Sequence, residues 1–268
     1  MIHTTKDGDL FCDITGPDDG PLLVFTHGAG MNLAMFDEQV AFFSEQYRCL
    51  VWDLPGHGRS YRLTEDFKFT ESADQLISLM DAVRGKKAVL VGHSMGSMIS
   101  QYAAHRYPDR VEGIVSIGGT KLKANELSSF QKFMFQISPY FFKLTTEKKF
   151  FYRLAKSKAV TKEAQKFYEE SLLKMGRKQF SYLWRGLMQS FELGIDTPVR
   201  HPLMICHGEH DSPPTLLEEA GQWHKESPDS RLVFLPKAGH NANMDAPQLF
   251  NEEMAVFLNK LAHGIDVK

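Results

Sequence analysis

This sequence has few cysteines, little net charge and no long apolar run, and each of these absences argues against a class of protein. Only three cysteines occur among 268 residues, Cys12, Cys49 and Cys206. An odd, widely spaced set does not make a disulfide framework, so we expect reduced core residues and a cytoplasmic location. The formal net charge of -2 predicts no nucleic-acid partner. No stretch approaches the roughly 18 apolar residues of a membrane span, and the polar N-terminus lacks a secretion-signal pattern.

Short apolar runs that alternate with helical patterns are the main structural signal. The runs are β-branched and apolar on both faces, which is typical of strands in a parallel sheet covered by helices. We therefore predict an α/β fold with a mostly parallel central sheet flanked by helices. Strands are predicted at residues 21–26, 48–52, 87–91, 111–117, 202–206 and 231–235, with an antiparallel edge strand at 9–15. Helices are predicted at residues 35–44, 70–84, 95–107, 214–225 and 246–262.

The alternation stops over residues 121–198, which show only helical patterns interrupted at Pro139 and Gly176. Such a block is best explained as a helical cap inserted into an α/β core. The predicted division is a core of residues 1–120 and 199–268 and a cap of residues 121–198. The cap segment holds 15 basic residues against 7 acidic ones, so it is positively charged although the whole chain is nearly neutral.

Aromatic side chains are dense in this predicted cap and interleave with its lysines. One interpretation is a basic amphipathic lid that contacts a membrane surface or an anionic amphiphile. The favoured interpretation is that the aromatic residues pack on the core while the lysines are solvated, because a cap must bury one face. The residues concerned are Phe130, Phe133, Phe135, Tyr140, Phe141, Phe142, Phe150, Phe151 and Tyr152, with Lys132, Lys143, Lys148, Lys149, Arg153, Lys156 and Lys158 between them.

Ser94 lies in the sequence Gly-His-Ser-Met-Gly, between a predicted strand and a predicted helix. A serine on a sharp strand-to-helix turn needs small neighbours, because the backbone is strained and other elements pass close to it. The turn also places the serine at a helix N-terminus, which favours the negative charge of a tetrahedral intermediate. A glycine-rich turn with a capping serine is the alternative. We predict that Ser94 is a nucleophile.

A serine nucleophile needs a base, and the chain offers 11 histidines. His240 is the preferred base, because it follows a predicted strand and therefore lies at the same end of the sheet as Ser94. His93 adjoins the nucleophile but is expected to point elsewhere. His27 and His57 precede Ser94 and suit structural or oxyanion-loop roles.

The base in turn needs an acidic partner that fixes its tautomer. Asp211 is the preferred partner, because it ends the loop that follows the strand at 202–206. Glu209 is a rival that lies too near the strand end. Asp245 is a second rival, expected instead to cap the last helix. His207, His210 and Asp211 also form a compact metal-like cluster, but no further ligand set is evident, so we predict no metal.

The loop His27-Gly28-Ala29-Gly30 follows the first predicted core strand. We predict that the backbone N–H groups of Ala29 and Met95 form an oxyanion hole. A phosphate-binding loop is the competing interpretation, but no Gly-Lys-Ser/Thr follows and the third glycine of a dinucleotide site is missing. We therefore predict no cofactor.

Together these motifs resemble the α/β-hydrolase family. The order Ser94, Asp211, His240 is that family's order of nucleophile, acid and base, and the segment 53–60 (DLPGHGRS) is similar to a turn found in many members. The resemblance covers residues 10–119 and the chain from 202 onward. Ser97 stands where many members have a further glycine. In residues 121–198, where the family carries its variable cap, no motif of a particular member is present.

The combined expectation is a serine hydrolase that cleaves a carboxylic ester with an apolar acyl group, in the manner of an esterase or lipase. Its partner would be a small-molecule acyl substrate, while the oligomeric state is left open. The same triad would serve a lactonase, a thioesterase or a carbon–carbon bond hydrolase. It would also serve a cofactor-free perhydrolase or acyltransferase, and a non-catalytic ligand-binding relative is a further alternative.

Overall fold

A computed structural model of the protein describes residues 1–122, 145–190 and 199–264. Its centre is an eight-stranded sheet in the order β1-β2-β4-β3-β5-β6-β7-β8. The β1–β2 and β2–β4 pairs are antiparallel, and the remaining neighbours are parallel. The strands are β1 Ile2–Thr5, β2 Gly8–Thr15, β3 Leu22–Thr26, β4 Arg48–Trp52, β5 Ala88–His93, β6 Val111–Ile117, β7 Leu203–Gly208 and β8 Ser230–Leu235.

The parallel strands are buried on both faces, which explains their continuous apolar sequences. Every residue of β3, β5 and β7 is buried, as expected for a sheet covered by helices. The predicted mostly parallel sheet is therefore confirmed. One detail of the prediction is wrong, because β2 is not the edge strand. The polar strand β1 pairs outside β2, and its alternately exposed residues carry no apolar run to predict it.

Helices cover this sheet, with α1 packed against the C-terminal helix and α2 packed against α3. A 12-residue helix after β7 and a four-residue helix after β8 also lie outside the sheet. These helices are α1 Asp37–Phe43, α2 Phe69–Ala82, α3 Met95–Arg106, α7 Thr215–Glu226, α8 Ala242–Asp245 and α9 Pro247–Ala262. The five helices predicted outside the insert are all present, each within a few residues of its expected ends.

Between β6 and β7 the described residues form three helices, α4 Glu147–Lys158, α5 Lys162–Met175 and α6 Arg177–Ser190. On α4, Phe151 is fully buried and its ring lies 5.6 Å from that of Phe180, whereas Lys148 and Lys149 are exposed. This part of the insert therefore agrees with aromatic residues packed inward and lysines in solvent. The aromatic residues between 130 and 142, with Lys132 and Lys143, lie outside the described residues.

Two further expectations can be compared with the described part of the chain. All three cysteines are buried and free of disulfide bonds. None of the described helices is both long enough and apolar enough to cross a bilayer.

Candidate active site

Ser94 occupies a strained turn between β5 and α3. Its backbone has φ 50° and ψ −113°, a conformation that costs a non-glycine residue about 1–3 kcal/mol. The Ser94 N–H donates a 2.7 Å hydrogen bond to the Ile117 carbonyl at the end of β6, which holds the turn against the sheet. Tertiary packing thus keeps the serine side chain at the C-terminal end of the parallel strands.

The glycines on either side of Ser94 are required by close backbone approach. A Cβ at Gly92 would lie 2.4 Å from the Gly96 carbonyl carbon, and one at Gly96 would lie 2.0 Å from the Thr26 carbonyl oxygen. Any side chain at either position would force the strand and the helix apart. Among the residues that the structure describes, the half-buried Ser94 hydroxyl forms no hydrogen bond. Catalytic hydrogen bonds often form only when substrate is bound.

Asp211 and His240 are brought together from two different loops. His240 Nδ1 donates to Asp211 Oδ1 at 2.9 Å, and the Ser212 N–H donates to the same oxygen at 2.7 Å. Asp211 is 3% exposed. Burial raises the pKa of this carboxyl group, but hydrogen bonds from His207 and His240 outweigh burial and hold the pKa well below its usual range. Asp211 is therefore ionised and can fix the His240 tautomer.

The two rival carboxylates lie elsewhere. Glu209 is exposed. Asp245 does not cap the last helix, so that expectation is wrong. Its carboxylate instead accepts hydrogen bonds from Gly239 N–H at 2.9 Å, from Thr161 N–H at 2.8 Å and from Val160 N–H at 2.9 Å. These donors start α5 and the loop of His240, so Asp245 links those two segments.

His240 lies between His93, which precedes Ser94, and Gly118, which follows Ile117. His93 Nε2–H donates to the His240 carbonyl at 3.1 Å, with the two ring centroids 5.0 Å apart. On the other side, a Cβ at Gly118 would lie 3.0 Å from His240 Nδ1. The His93 ring is therefore in contact with the loop that carries His240. Its contact with the base itself was not predicted, because only the fold brings β5 beside the loop after β8.

His240 has the protonation state that a base requires. Burial lowers the pKa of its side chain, and neighbouring Lys158 and His207 lower it further against the opposing effect of Asp211. Burial also lowers the pKa of His93 well below its ordinary value. Both rings are thus neutral near neutral pH, and His240 Nε2 is free to accept a proton.

The predicted oxyanion donors belong to two rigid segments. Ala29 lies in the loop after β3, where its carbonyl accepts a 3.1 Å hydrogen bond from the Tyr168 hydroxyl of α5. Met95 is the first residue of α3, so its N–H has no acceptor within the helix. Within the described parts of the chain, neither the Ala29 N–H nor the Met95 N–H donates to another group. Both donors are therefore available to a ligand.

Two buried histidines fasten the loop that carries Ala29. The Gly30 N–H donates to His57 Nε2 at 3.0 Å, and the Leu54 N–H donates to His27 Nε2 at 3.0 Å. Burial lowers the pKa of His27 to about 4 and that of His57 to about 3. Both rings stay neutral and accept these bonds, so His27 and His57 hold the loop of Ala29 in place.

The metal-like cluster does not form a ligand set. His207 uses both ring nitrogens in hydrogen bonds, to Asp211 Oδ2 at 2.8 Å and to the Gly119 carbonyl at 3.0 Å. His210 is exposed. The described ranges contain no group of three or more side chains arranged to hold a metal ion. The contacts of His207, Lys158 and Tyr168 were not predicted, since no local pattern marks them.

Comparisons with known proteins identify the family and the fold of the chain. The sequence profile of the alpha/beta hydrolase fold family matches residues 21–247. The chain is 29% identical to 3-oxoadipate enol-lactonase 2 of Acinetobacter baylyi over 128 residues, which are 48% of each protein. It is 23% identical to (E)-2-((N-methylformamido)methylene)succinate hydrolase of the same species over 244 residues, 90% of this chain and 91% of that relative.

Among solved structures, a thermophilic esterase from Thermogutta terrifontis superposes with a TM-score of 0.81 at 20% identity and covers 97% of this chain and 98% of its own. The match to the lactonase spans about half of that relative's length. The family match, by contrast, extends from the first core strand to the start of the last helix. The chain therefore belongs to the α/β hydrolase fold family.

Proposed function

We propose that the protein is a serine hydrolase that cleaves a carboxylic ester through an acyl-enzyme on Ser94. The observation that carries this proposal is the Asp211–His240 hydrogen bond, formed beside a serine whose backbone is held at φ 50°. An ionised, buried aspartate that orients a neutral histidine is the arrangement that activates a hydroxyl nucleophile. A protein that only bound ligands would need none of these three groups.

The first half of the reaction makes the acyl-enzyme. Ser94 Oγ attacks the substrate carbonyl carbon while His240 Nε2 takes the hydroxyl proton. The carbonyl oxygen becomes an anion, which the N–H groups of Ala29 and Met95 stabilise by hydrogen bonds. The intermediate then collapses, and His240 returns the proton to the departing alkoxide, which leaves as an alcohol.

The second half repeats these steps with water. His240 takes a proton from water, the resulting hydroxide attacks the acyl carbon, and the same two N–H groups hold the oxyanion. Ser94 leaves with the proton from His240, so the enzyme is regenerated and a carboxylic acid is released. Asp211 remains ionised throughout and stabilises the His240 imidazolium that forms twice in each cycle.

The substrate proposed first is an ester with an apolar acyl group, because α5 brings apolar atoms against the loop of Ala29. A Cβ at Gly30 would lie 2.5 Å from Leu172 Cδ2 and 3.1 Å from Tyr168 Cε2. A cyclic ester is the second candidate. It is supported by the similarity to a protein named as an enol-lactonase. Both reactions use the steps above, and they differ only in whether the alcohol stays attached to the product.

The test is a substrate panel measured with the wild type and with Ser94→Ala. The panel holds p-nitrophenyl esters of increasing chain length, a lactone and a thioester. We expect Ser94→Ala to lower kcat by about 10³-fold or more on every substrate turned over, since the nucleophile is removed. A fluorophosphonate probe should label the wild type at Ser94, as identified by peptide mapping.

Ser157→Ala serves as the matched control, because Ser157 is exposed on α4 and its hydroxyl donates to the Leu154 carbonyl of the same helix. It should keep both turnover and labelling. Turnover retained by a folded Ser94→Ala protein, or labelling at another residue, would contradict the assignment. The ranking of ester against lactone chooses between the two substrate classes.

A further inference from the structure

His207, at the end of β7, has a ring that is enclosed on both sides by hydrogen-bond acceptors. The side chain is 0% exposed. Nδ1 lies 2.8 Å from Asp211 Oδ2, and Nε2 lies 3.0 Å from the Gly119 carbonyl oxygen. The mechanism above uses Asp211 but leaves His207 without a role.

The protons available to this cluster can be counted. The Gly119 carbonyl can only accept, so Nε2 must carry a proton. Asp211 Oδ1 already accepts from His240 Nδ1–H and from the Ser212 N–H. Two donors on one oxygen favour the ionised carboxylate, whose other oxygen can then also only accept. Nδ1 of His207 must therefore carry a proton as well.

We propose that His207 is a buried imidazolium that positions the Asp211 carboxylate for His240. The alternative places the shared proton on Asp211 Oδ2 and leaves His207 neutral. In that state the carboxyl group would be uncharged while facing two N–H donors on its other oxygen. It would then stabilise the His240 imidazolium less well, because a neutral carboxyl group lacks the negative charge that strengthens a hydrogen bond to a cation.

This arrangement does two things for the base. Because His207 holds Oδ2, the carboxylate plane cannot rotate, and Oδ1 stays aimed at His240 Nδ1. The positive charge of His207 also offsets the negative charge of Asp211. The charged and titratable groups around His240 are then Asp211 and His207 from the β7 side, Lys158 from α4, and neutral His93 from β5. Removing the His207 charge should make His240 easier to protonate.

The protonation state can be measured without any activity. Nitrogen-15 labelling of the histidines, read by NMR on the wild type, should show one buried ring with both nitrogens protonated at mildly alkaline pH. His207→Asn identifies that signal by its disappearance. His210→Asn is the matched control, because His210 is an exposed histidine in the same loop. A His207 ring with one unprotonated nitrogen at that pH would overturn the proposal.

The positioning role rests on the proposed function and has its own test. His207→Asn keeps a neutral N–H donor near Oδ2 but removes the charge. We expect the ascending limb of the pH profile of kcat/KM to move up by about one pH unit, while His210→Asn leaves it in place. A uniform loss of kcat/KM with an unmoved limb would show a merely structural residue. If Ser94 were not the nucleophile, the Ser94→Ala test would fail while the NMR result still stood.

Discussion

Among single residues, Asp211 accepts the hydrogen bonds that hold the candidate site together. His240, His207 and the Ser212 N–H all donate to its two oxygens, over 2.7–2.9 Å. Glu209 is two residues away on the same loop and is exposed. The two carboxylates are close in the chain but differ in burial and partners, so they make a matched pair for substitution.

The variants Asp211→Asn and Glu209→Gln test which of the two carboxylates orients His240. An amide at Asp211 would present an N–H donor to one of the two histidine rings. It would also lack the negative charge that stabilises the His240 imidazolium. We expect kcat to fall by about 10⁴-fold, while Glu209→Gln stays within about twofold of the wild type. The measurement is steady-state kinetics on one ester, with thermal melts to show that both variants fold. If Glu209→Gln lowered kcat more than Asp211→Asn did, Glu209 and not Asp211 would be the acidic partner of His240.

At the scale of elements, the segment between α4 and α5 is bonded to the loop that carries His240. The Asn241 N–H donates to the Lys158 carbonyl at 3.0 Å. Asp245 accepts from Gly239 on one side and from Val160 and Thr161 on the other. The segment between α4 and α5 is thereby connected to the loop of His240 through the two residues that flank His240, Gly239 and Asn241.

Asp245→Asn tests this connection. The amide nitrogen would face at least one backbone N–H that now has an acceptor, so a buried donor loses its partner. We expect the free energy of unfolding to fall by about 1–3 kcal/mol and kcat to fall several-fold, because the His240 loop is less well held. Urea unfolding and ester kinetics give the two values. Glu163→Gln, at an exposed position of α5, is the control. If Asp245→Asn changed neither the free energy of unfolding nor kcat, the proposed connection would be refuted.

At the scale of the whole molecule, the sheet is closed to solvent by the helices on it. The three cysteines can test whether solvent reaches the sheet, because they lie in its strands and each is 0% exposed. They are Cys12 in β2, Cys49 in β4 and Cys206 in β7. Burial raises the pKa of all three thiols, that of Cys49 to about 12. None of them is therefore an accessible thiolate in the folded protein.

The corresponding prediction is that a thiol reagent such as Ellman's reagent finds no reactive cysteine in the native protein and three in denaturant. A thiol reacts only if it is exposed and ionised, and in the folded protein all three thiols are buried and have raised pKa values. The release of thionitrobenzoate, followed with and without guanidinium chloride, gives the counts. Rapid reaction of one thiol in the native protein would show that one of these strands is open to solvent.

The features that depend on local pattern could be predicted from the amino-acid sequence alone. Continuous apolar runs predicted the parallel strands because both sheet faces are buried, and the glycines around Ser94 predicted a tight turn because nothing larger fits there. The hydrogen bond between Asp211 and His240 followed from the rule that loops after parallel strands meet at one end of a sheet. The polar strand β1 escaped prediction because an edge strand needs no apolar run.

The hydrogen bonds between polar groups that are distant in the chain became known only from the folded protein. Nothing near His207 in the chain shows that Gly119 closes the other side of its ring, and nothing near Asp245 shows that α5 begins beside it. These contacts join residues far apart in the chain, where spacing carries no information and packing sets which acceptor faces which donor. For the same reason Ser94 could be proposed as a nucleophile from five residues, whereas the hydrogen bonds behind His240 required the whole fold.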